Sequence, residues 1–158
     1  MENVELSFDK IALFNEINVI LDKDPSAKSF VLEYTQYVHM IDDLIDEGIK
    51  SHENLISVFY KASQVFSNDF YRRYCHMLFT VNALITNTYS DIVRWEKSEV
   101  NWKVSYADSA RHCALDMFYA VILILGGMET LRNISIRFRE HCIVNHLSDL
   151  IDWLEKKE

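Results

Sequence analysis

The residues best suited to chemistry are acids concentrated in one short segment, 39–47, which has the sequence HMIDDLIDE. On a helix, at about 100° per residue, Asp42 and Asp46 lie about 100° and 140° from Ile41, the centre of the apolar arc, whereas Asp43 points outward. Asp42 and Asp46 are therefore i,i+4 neighbours that repel each other unless a cation or an arginine bridges them. Because Mg²⁺ favours one or two carboxylates with water and phosphate completing its shell, the spacing predicts a Mg²⁺ or Mn²⁺ site.

The alternative for this segment is a solvated acidic shoulder at the end of a helix. Four acids lie among the six residues before Gly48, where the negative end of the helix dipole disfavours them. Residues that are unfavourable for the local helix, as these acids are, often occur at functional sites. His39 lies near the same shoulder, and we expect it to contact a bound ligand.

A second polar set, Asp108, His112 and Asp116, recurs at every fourth residue. On one continuous helix these side chains would form a stripe, and His112 and Asp116 are predicted to complete the metal site, with Asp108 contacting the ligand. Taken alone, His112 also fits a hydrogen-bonded core histidine. Arg111 falls near the apolar face of that helix, where it either forms a buried ion pair or presents its planar fork to a phosphate.

These residues must be positioned by helices. The chain has 158 residues but only three glycines and one proline, too few for the tight turns that join strands. Nearly half of the residues, 49%, are hydrophobic, which is enough for a packed core. The sequence therefore predicts an all-α fold: a single domain, 1–158, built as an antiparallel bundle of about six helices.

Capping signals predict where the helices begin and end. Ser7 is expected to cap the first helix, with Leu6 stapling it, and Asp24-Pro25 to open the second. Gly48 should end the second helix in a left-handed conformation. The remaining predicted boundaries are Ser51 for the third helix, Asn68 to Lys97 for a long fourth, Gly126-Gly127 for the end of the fifth, and Trp153 for the end of the sixth.

Charge and cysteine content limit the function classes. A net charge of −8 argues against nucleic-acid binding, which depends on basic residues that neutralise phosphates. Cys75, Cys113 and Cys142 are odd in number and widely spaced, and the acidic segment 1–5 has no signal-peptide pattern, so we expect reduced thiols and a cytoplasmic location. The apolar run 117–127 is about half the ~20 residues that cross a bilayer, so no membrane association is expected.

Two resemblances accompany these patterns. Asp42-Asp43-Leu44-Ile45-Asp46 resembles the Asp-Asp-x-x-Asp motif of isoprenyl diphosphate synthases, and its first and last acids look like the first acidic motif of squalene and phytoene synthases. In those all-α families the acids hold Mg²⁺ ions that bind a diphosphate. The set at residues 108, 112 and 116 departs from their second motif at the central histidine. The chain is also much shorter than those folds, so the resemblance implies the cation site and not the whole prenyl-transferring cavity.

The second resemblance covers most of the chain. The acidic helix, Asn68-Asp69-Phe70-Tyr71 opening a long helix, Arg111, and Gly126-Gly127 follow in the order seen in small uncharacterised helical proteins of phages and prophages. This resemblance implies no activity. It implies that an inhibitor or adaptor of host machinery is one possible role.

Two functions are therefore open. In the first, Asp42 and Asp46, with Asp116 and His112, hold a divalent cation, and Arg111 contacts a phosphate-bearing small molecule that the protein binds or acts on. In the second, a non-catalytic phage-type protein uses its acidic helical surface to bind a basic host protein. Neither the residue types nor the spacing decides whether the protein is an enzyme.

Overall fold

The computed structural model describes residues 8–141 and 146–156, and these residues form an all-α bundle with no strand among them. The described residues form eight helices. Their bounds are α1 Phe8–Leu21, α2 Pro25–Glu47, α3 His52–Ser67, α4 Asp69–Arg73, α5 Cys75–Trp95, α6 Asn101–Ala110, α7 Leu115–His141 and α8 His146–Glu155. The all-α prediction is confirmed, and the expected number of about six rises because two of the predicted helices are interrupted.

Side-chain caps begin α2, α3 and α4 at the residues that the sequence indicates. Asp24 accepts a hydrogen bond from the Ser26 backbone N–H at 3.0 Å, Ser51 accepts one from Asn54 N–H at 3.2 Å, and Asn68 accepts one from Phe70 N–H at 2.9 Å. Each cap satisfies one backbone donor that the first helical turn leaves unpaired. The predicted cap at Ser7 and the staple at Leu6 lie outside the described residues.

Glycines mark two of the remaining boundaries. Gly48 ends α2 with a φ of 76°, the positive φ expected of it, although its ψ of 177° is extended and not left-handed helical. Gly127 has a φ of 77° and bends α7, so the helix predicted to end there resumes in a new direction. Gly126 is also constrained, because a Cβ atom at this position would lie 2.6 Å from Cγ2 of Thr130.

The predicted fourth and fifth helices are both broken where no glycine or proline marks a break. The fourth is interrupted at Tyr74, which separates α4 from α5. The fifth ends at Ala110, and residues 111–114 form a turn before α7 begins at Leu115. The prediction of one continuous helix through residues 108–116 is therefore wrong. The interruption allows both α6 and α7 to pack against α5.

The core lies around α1, the N-terminal half of α2, and α7. Phe14 of α1 is fully buried, with ring centroids 6.3 Å from Phe138 and 5.8 Å from Trp153. In α7, Leu115 and residues 117–122 are all buried, so this apolar segment forms part of the core. Burial of this apolar surface is the main term that holds the bundle together.

Within the described part of the chain, one helical stretch, Asn101–Glu140, has the length and apolar composition to cross a bilayer, with a mean hydropathy of 1.6. A buried helix of a water-soluble protein passes the same test. The stretch turns at residues 111–114 and bends at Gly127, and 39% of its most apolar 18-residue window is buried against other helices. Length and composition are therefore weak evidence for a membrane span.

Candidate functional site

A cavity of about 650 Å³ lies between the C-terminal half of α2, the middle and end of α5, and the turn at residues 111–114. Concave sites of this size, with an apolar base and a few convergent polar groups, are the usual form of small-molecule sites in proteins. Three separate elements supply its walls, so its shape depends on the packing of the bundle and not on a single loop.

Five of the seven side chains predicted for the site line this one cavity: His39, Asp42, Asp46, Arg111 and His112. The first three come from α2 and the last two from the turn. Because some seventy residues separate the two groups in the chain, only the fold brings them together. Asp108 and Asp116 do not line the cavity.

The acidic wall is formed by Asp42 and Asp46, both solvent-exposed on α2. The hydroxyl of Tyr89 on α5 donates a hydrogen bond to Oδ1 of Asp42 across the cavity. Partial burial, that hydrogen bond and the nearby charges of Asp42, Asp46 and Glu96 all raise the pKa of Tyr89, which therefore stays protonated as a donor. One carboxylate thus contacts the phenol, and two more lie near it in the lining of the cavity.

The base of the cavity is mostly apolar, and the polar groups of Tyr34 and Thr35 there already form hydrogen bonds within the protein. Tyr34 donates a hydrogen bond to the side-chain carbonyl of Asn82 at 3.0 Å, and burial raises the pKa of its phenol. Thr35, the one buried polar residue of the described core, donates to the Val31 carbonyl at 2.9 Å. Since these polar groups are already paired, the base offers a ligand mainly apolar and aromatic contact.

The third wall is the turn at residues 111–114, whose backbone is wound more tightly than an α-helix. The N–H groups of Cys113, Leu115 and Asp116 bond to carbonyls three residues earlier, at 2.9, 3.0 and 3.0 Å. Short 3₁₀ segments inside a helical run often mark functional hinges. Here the tighter winding also removes the predicted i,i+4 stripe, because residues four apart no longer share a face.

Arg111 and Cys113 take different positions in this turn. Arg111 is exposed, and its guanidinium lies 3.4 Å from Asp108, so of the two alternatives predicted for it the buried ion pair is wrong and the pair is a weak surface one. Cys113 is half-buried, with Sγ 3.9 Å from the Ile85 carbonyl, and burial followed by the charge of Asp116 raises the pKa of its thiol. Arg111 also lines the cavity.

Asp116 lies in the first turn of α7, outside the cavity, where the positive end of the helix dipole favours an acid. Partial burial raises its pKa, and the charge of Arg139 opposes that effect. The predicted metal set of Asp42, Asp46, His112 and Asp116 is therefore not assembled. Across residues 8–141 and 146–156, no group of three His, Cys, Asp or Glu side chains lies close enough to hold a metal.

The α5 wall was missed at the level of sequence, although a signal for it exists. Asn82, Thr86, Tyr89, Val93 and Glu96 are spaced by four, three, four and three residues, which places them on one helical face. All five line the cavity. The stripe runs beside the buried positions Leu78, Ile85 and Ile92, so it is a half-polar border of the core that could have been found by its period.

No family model, no curated protein and no solved structure matches this chain. The resemblances to prenyl diphosphate-binding synthases and to small phage proteins therefore stay predictions. The function has to be argued from the cavity itself.

Proposed function

We propose that the protein binds a small phosphate-bearing molecule in the cavity between α2, α5 and the 111–114 turn, together with a divalent cation, Mg²⁺ or Mn²⁺. The observation that carries the proposal is the convergence of His39, Asp42, Asp46, Arg111 and His112 on one cavity of about 650 Å³. These residues have the types and spacing that suit this chemistry, and although they come from two distant segments of the chain, all five line the same cavity.

The proposed cation site is the Asp42–Asp46 pair. Mg²⁺ is commonly held by one or two carboxylates, with water and phosphate oxygens as its other ligands, so a third protein ligand is not required. The ion would relieve the repulsion between the two aspartates. It would act as a Lewis acid and as a template for the ligand.

Arg111 is the proposed phosphate contact, with His39 and His112 beside it. Its side chain is 60% exposed and its guanidinium lies 3.4 Å from Asp108, a pair weak enough to exchange for a phosphate. The remainder of the ligand would lie on the aromatic and apolar base that includes Tyr34 and Ile85.

Thermal melting with MgCl₂ or MnCl₂, with and without inorganic pyrophosphate, tests this proposal. A ligand at 100 times its dissociation constant stabilises the native state by about 2.7 kcal/mol, so a measurable rise in Tm is expected and EDTA should reverse it. The double substitution Asp42→Asn and Asp46→Asn should abolish the rise.

Asp43→Asn is the matched control, because it removes the same charge from the same helix at an exposed residue that does not line the cavity. The response to the cation should survive in this variant. If no divalent ion shifts the Tm of the unsubstituted protein, or if Asp43→Asn abolishes the shift as completely as the double variant, the metal-site proposal is wrong.

A second candidate function is binding to a basic protein partner. It is favoured by the exposure of all four acids at the end of α2, namely Asp42, Asp43, Asp46 and Glu47. Salt-sensitive binding would then depend on Asp43 and Glu47 as strongly as on the cavity pair. Binding to a basic test protein such as lysozyme separates this function from the first when two double variants are compared: Asp42→Asn with Asp46→Asn, and Asp43→Asn with Glu47→Gln.

We also propose that the protein is located in the cytoplasm. Cys75 and Cys113 are both free thiols and half-buried, which fits a reducing compartment. Cys142 lies outside the described residues.

A further inference from the structure

A cluster of three aromatic side chains lies where α5 leads into α6, apart from the cavity. The ring centroid of Trp95 is 5.4 Å from that of Trp102 and 5.3 Å from that of Tyr106, with interplanar angles of 73° and 70°. Trp102 and Tyr106 are one helical turn apart on α6, so they face Trp95 from the same side. None of the three lines the cavity. These residues are called the aromatic cluster below.

The aromatic cluster is open to solvent. Trp102 is 61% exposed and Tyr106 is 42% exposed. The three rings are not part of the aromatic packing of the core, whose rings, such as Phe14 and Phe30, are fully buried. The cluster is therefore a surface feature whose ring faces can meet a ligand.

A cation already lies on these rings. The ammonium of Lys103 is 5.8 Å from the Trp95 centroid and 5.7 Å from the Trp102 centroid. Among the described residues it forms no ion pair with a carboxylate, although Glu96 and Glu99 are near in the chain. The faces of the two indoles thus attract an ammonium group in this protein, as the quadrupole of an aromatic ring predicts.

From this geometry we infer that the aromatic cluster is a binding site for a quaternary ammonium group, and that Lys103 occupies the site in the absence of ligand. A quaternary ammonium cannot donate hydrogen bonds to water, so it loses less hydration than a lysine ammonium when it contacts the rings. Rings set nearly at right angles to each other offer it more than one face, the arrangement used by aromatic cages for methylated amines. Glu96, which pairs with Lys97 at 4.0 Å, and Glu99 lie near these rings in the chain and add negative charge.

Choline, titrated by NMR while the indole N–H resonances are observed, tests this inference. Its neutral isostere, 3,3-dimethylbutanol, has the same shape without the charge and should bind roughly two- to five-fold more weakly, the ratio expected of cation–π attraction at an exposed site. Phosphatidylcholine vesicles, with phosphatidylglycerol vesicles as reference, form a second arm that distinguishes a lipid headgroup from a free ligand.

Lys103→Gln supplies the decisive variant, because it removes the competing charge and keeps most of the side-chain length. It should bind choline more tightly than the unsubstituted protein, whereas Lys97→Gln, at a neighbouring lysine that is 86% exposed and lies over no ring, should not. Trp102→Leu and, separately, Tyr106→Leu should weaken binding, with thermal melts confirming that each variant is folded.

Several results would overturn the inference. Equal binding of choline and its neutral isostere would show an apolar patch with no preference for cations. Lys103→Gln binding no better than Lys97→Gln would show that the lysine does not compete for the rings. Failure of both free choline and phosphatidylcholine to bind Lys103→Gln would leave the cluster with only its internal lysine contact.

Discussion

The two halves of α2 belong to one helix but serve different purposes. All the buried residues of α2, namely Ala27, Phe30, Val31, Tyr34 and Thr35, lie in its N-terminal half. After Thr35 no residue of the helix is buried, and the C-terminal half carries the acids that border the cavity. The first half therefore follows the rules that stabilise a helix, whereas the second departs from them at its end.

The difference extends to the ends of the helix. At the N-terminus Asp24 caps the first turn and pairs with Arg73, so its charge is favoured by the helix dipole and by a partner. At the C-terminus Asp42, Asp43, Asp46 and Glu47 lie at the negative end of the dipole, with no basic residue in the last turn. Such a departure costs stability, and binding of a cation would offset the cost.

The largest effect should come from breaking the packed half. Phe30 is fully buried among other aromatic rings, and its ring centroid lies 5.8 Å from that of Tyr34 and 5.9 Å from those of Phe70 and Tyr71. Phe30→Ala should lower the free energy of unfolding by about 3–5 kcal/mol, because it removes buried area and leaves a cavity. Urea denaturation measures this loss.

Ile45→Ala is the matched change in the C-terminal half, where Ile45 is 42% exposed. It should alter the free energy of unfolding by no more than about 0.5 kcal/mol. Equal losses for the two variants would show that the halves do not differ in the way described.

Much of the fold could be predicted because its signals are local. Asp24, Ser51 and Asn68 cap helices as their types predict, and the period of the apolar residues identified α2 as amphipathic. The breaks at Tyr74 and at residues 111–114 could not be predicted, since no glycine or proline marks them. They arise from the way neighbouring helices pack, which is a property of the whole bundle.

The residues that line the cavity could also be predicted only in part. Helical geometry correctly separated Asp42 and Asp46, which line the cavity, from Asp43, which does not. The same geometry failed for Asp116, because it assumed a continuous helix through a turn that is wound as 3₁₀. Tyr89 was missed because a tyrosine at helical spacing is more simply explained as core, and only the fold brings its hydroxyl to Asp42.

A smaller effect should come from Asp24. Its carboxylate accepts hydrogen bonds from Ser26 and lies 2.5 Å from the guanidinium of Arg73. Asp24→Ala should lower the free energy of unfolding by about 1–2 kcal/mol, through loss of the cap and of the pair. Asp24→Asn keeps a good cap and should recover part of that loss.

The pH dependence follows from the same carboxylate. Partial burial opposes ionisation, but hydrogen bonds from Ser26 and Arg73 prevail and hold the pKa of Asp24 below its usual 3.8. The unfolded chain therefore takes up the proton first, so the contribution is complete above the unfolded pKa and is lost as pH falls through the folded pKa. Between pH 5 and pH 2 the unsubstituted protein should lose its advantage over Asp24→Asn, and a constant difference across that range would contradict this assignment.

The smallest predicted effect is an increase, and not a decrease, in the free energy of unfolding. Asp46 lies in the last turn of α2, four residues from Asp42, where both the dipole and the neighbouring acids disfavour its charge. Asp46→Asn should therefore raise the free energy of unfolding by roughly 0.3–1 kcal/mol at low ionic strength without divalent ions. Because the effect is electrostatic and exposed, 1 M NaCl should reduce it strongly. A loss of stability in this variant, persisting in high salt, would mean that Asp46 supports the fold and that the C-terminal half of α2 is not the less stable one.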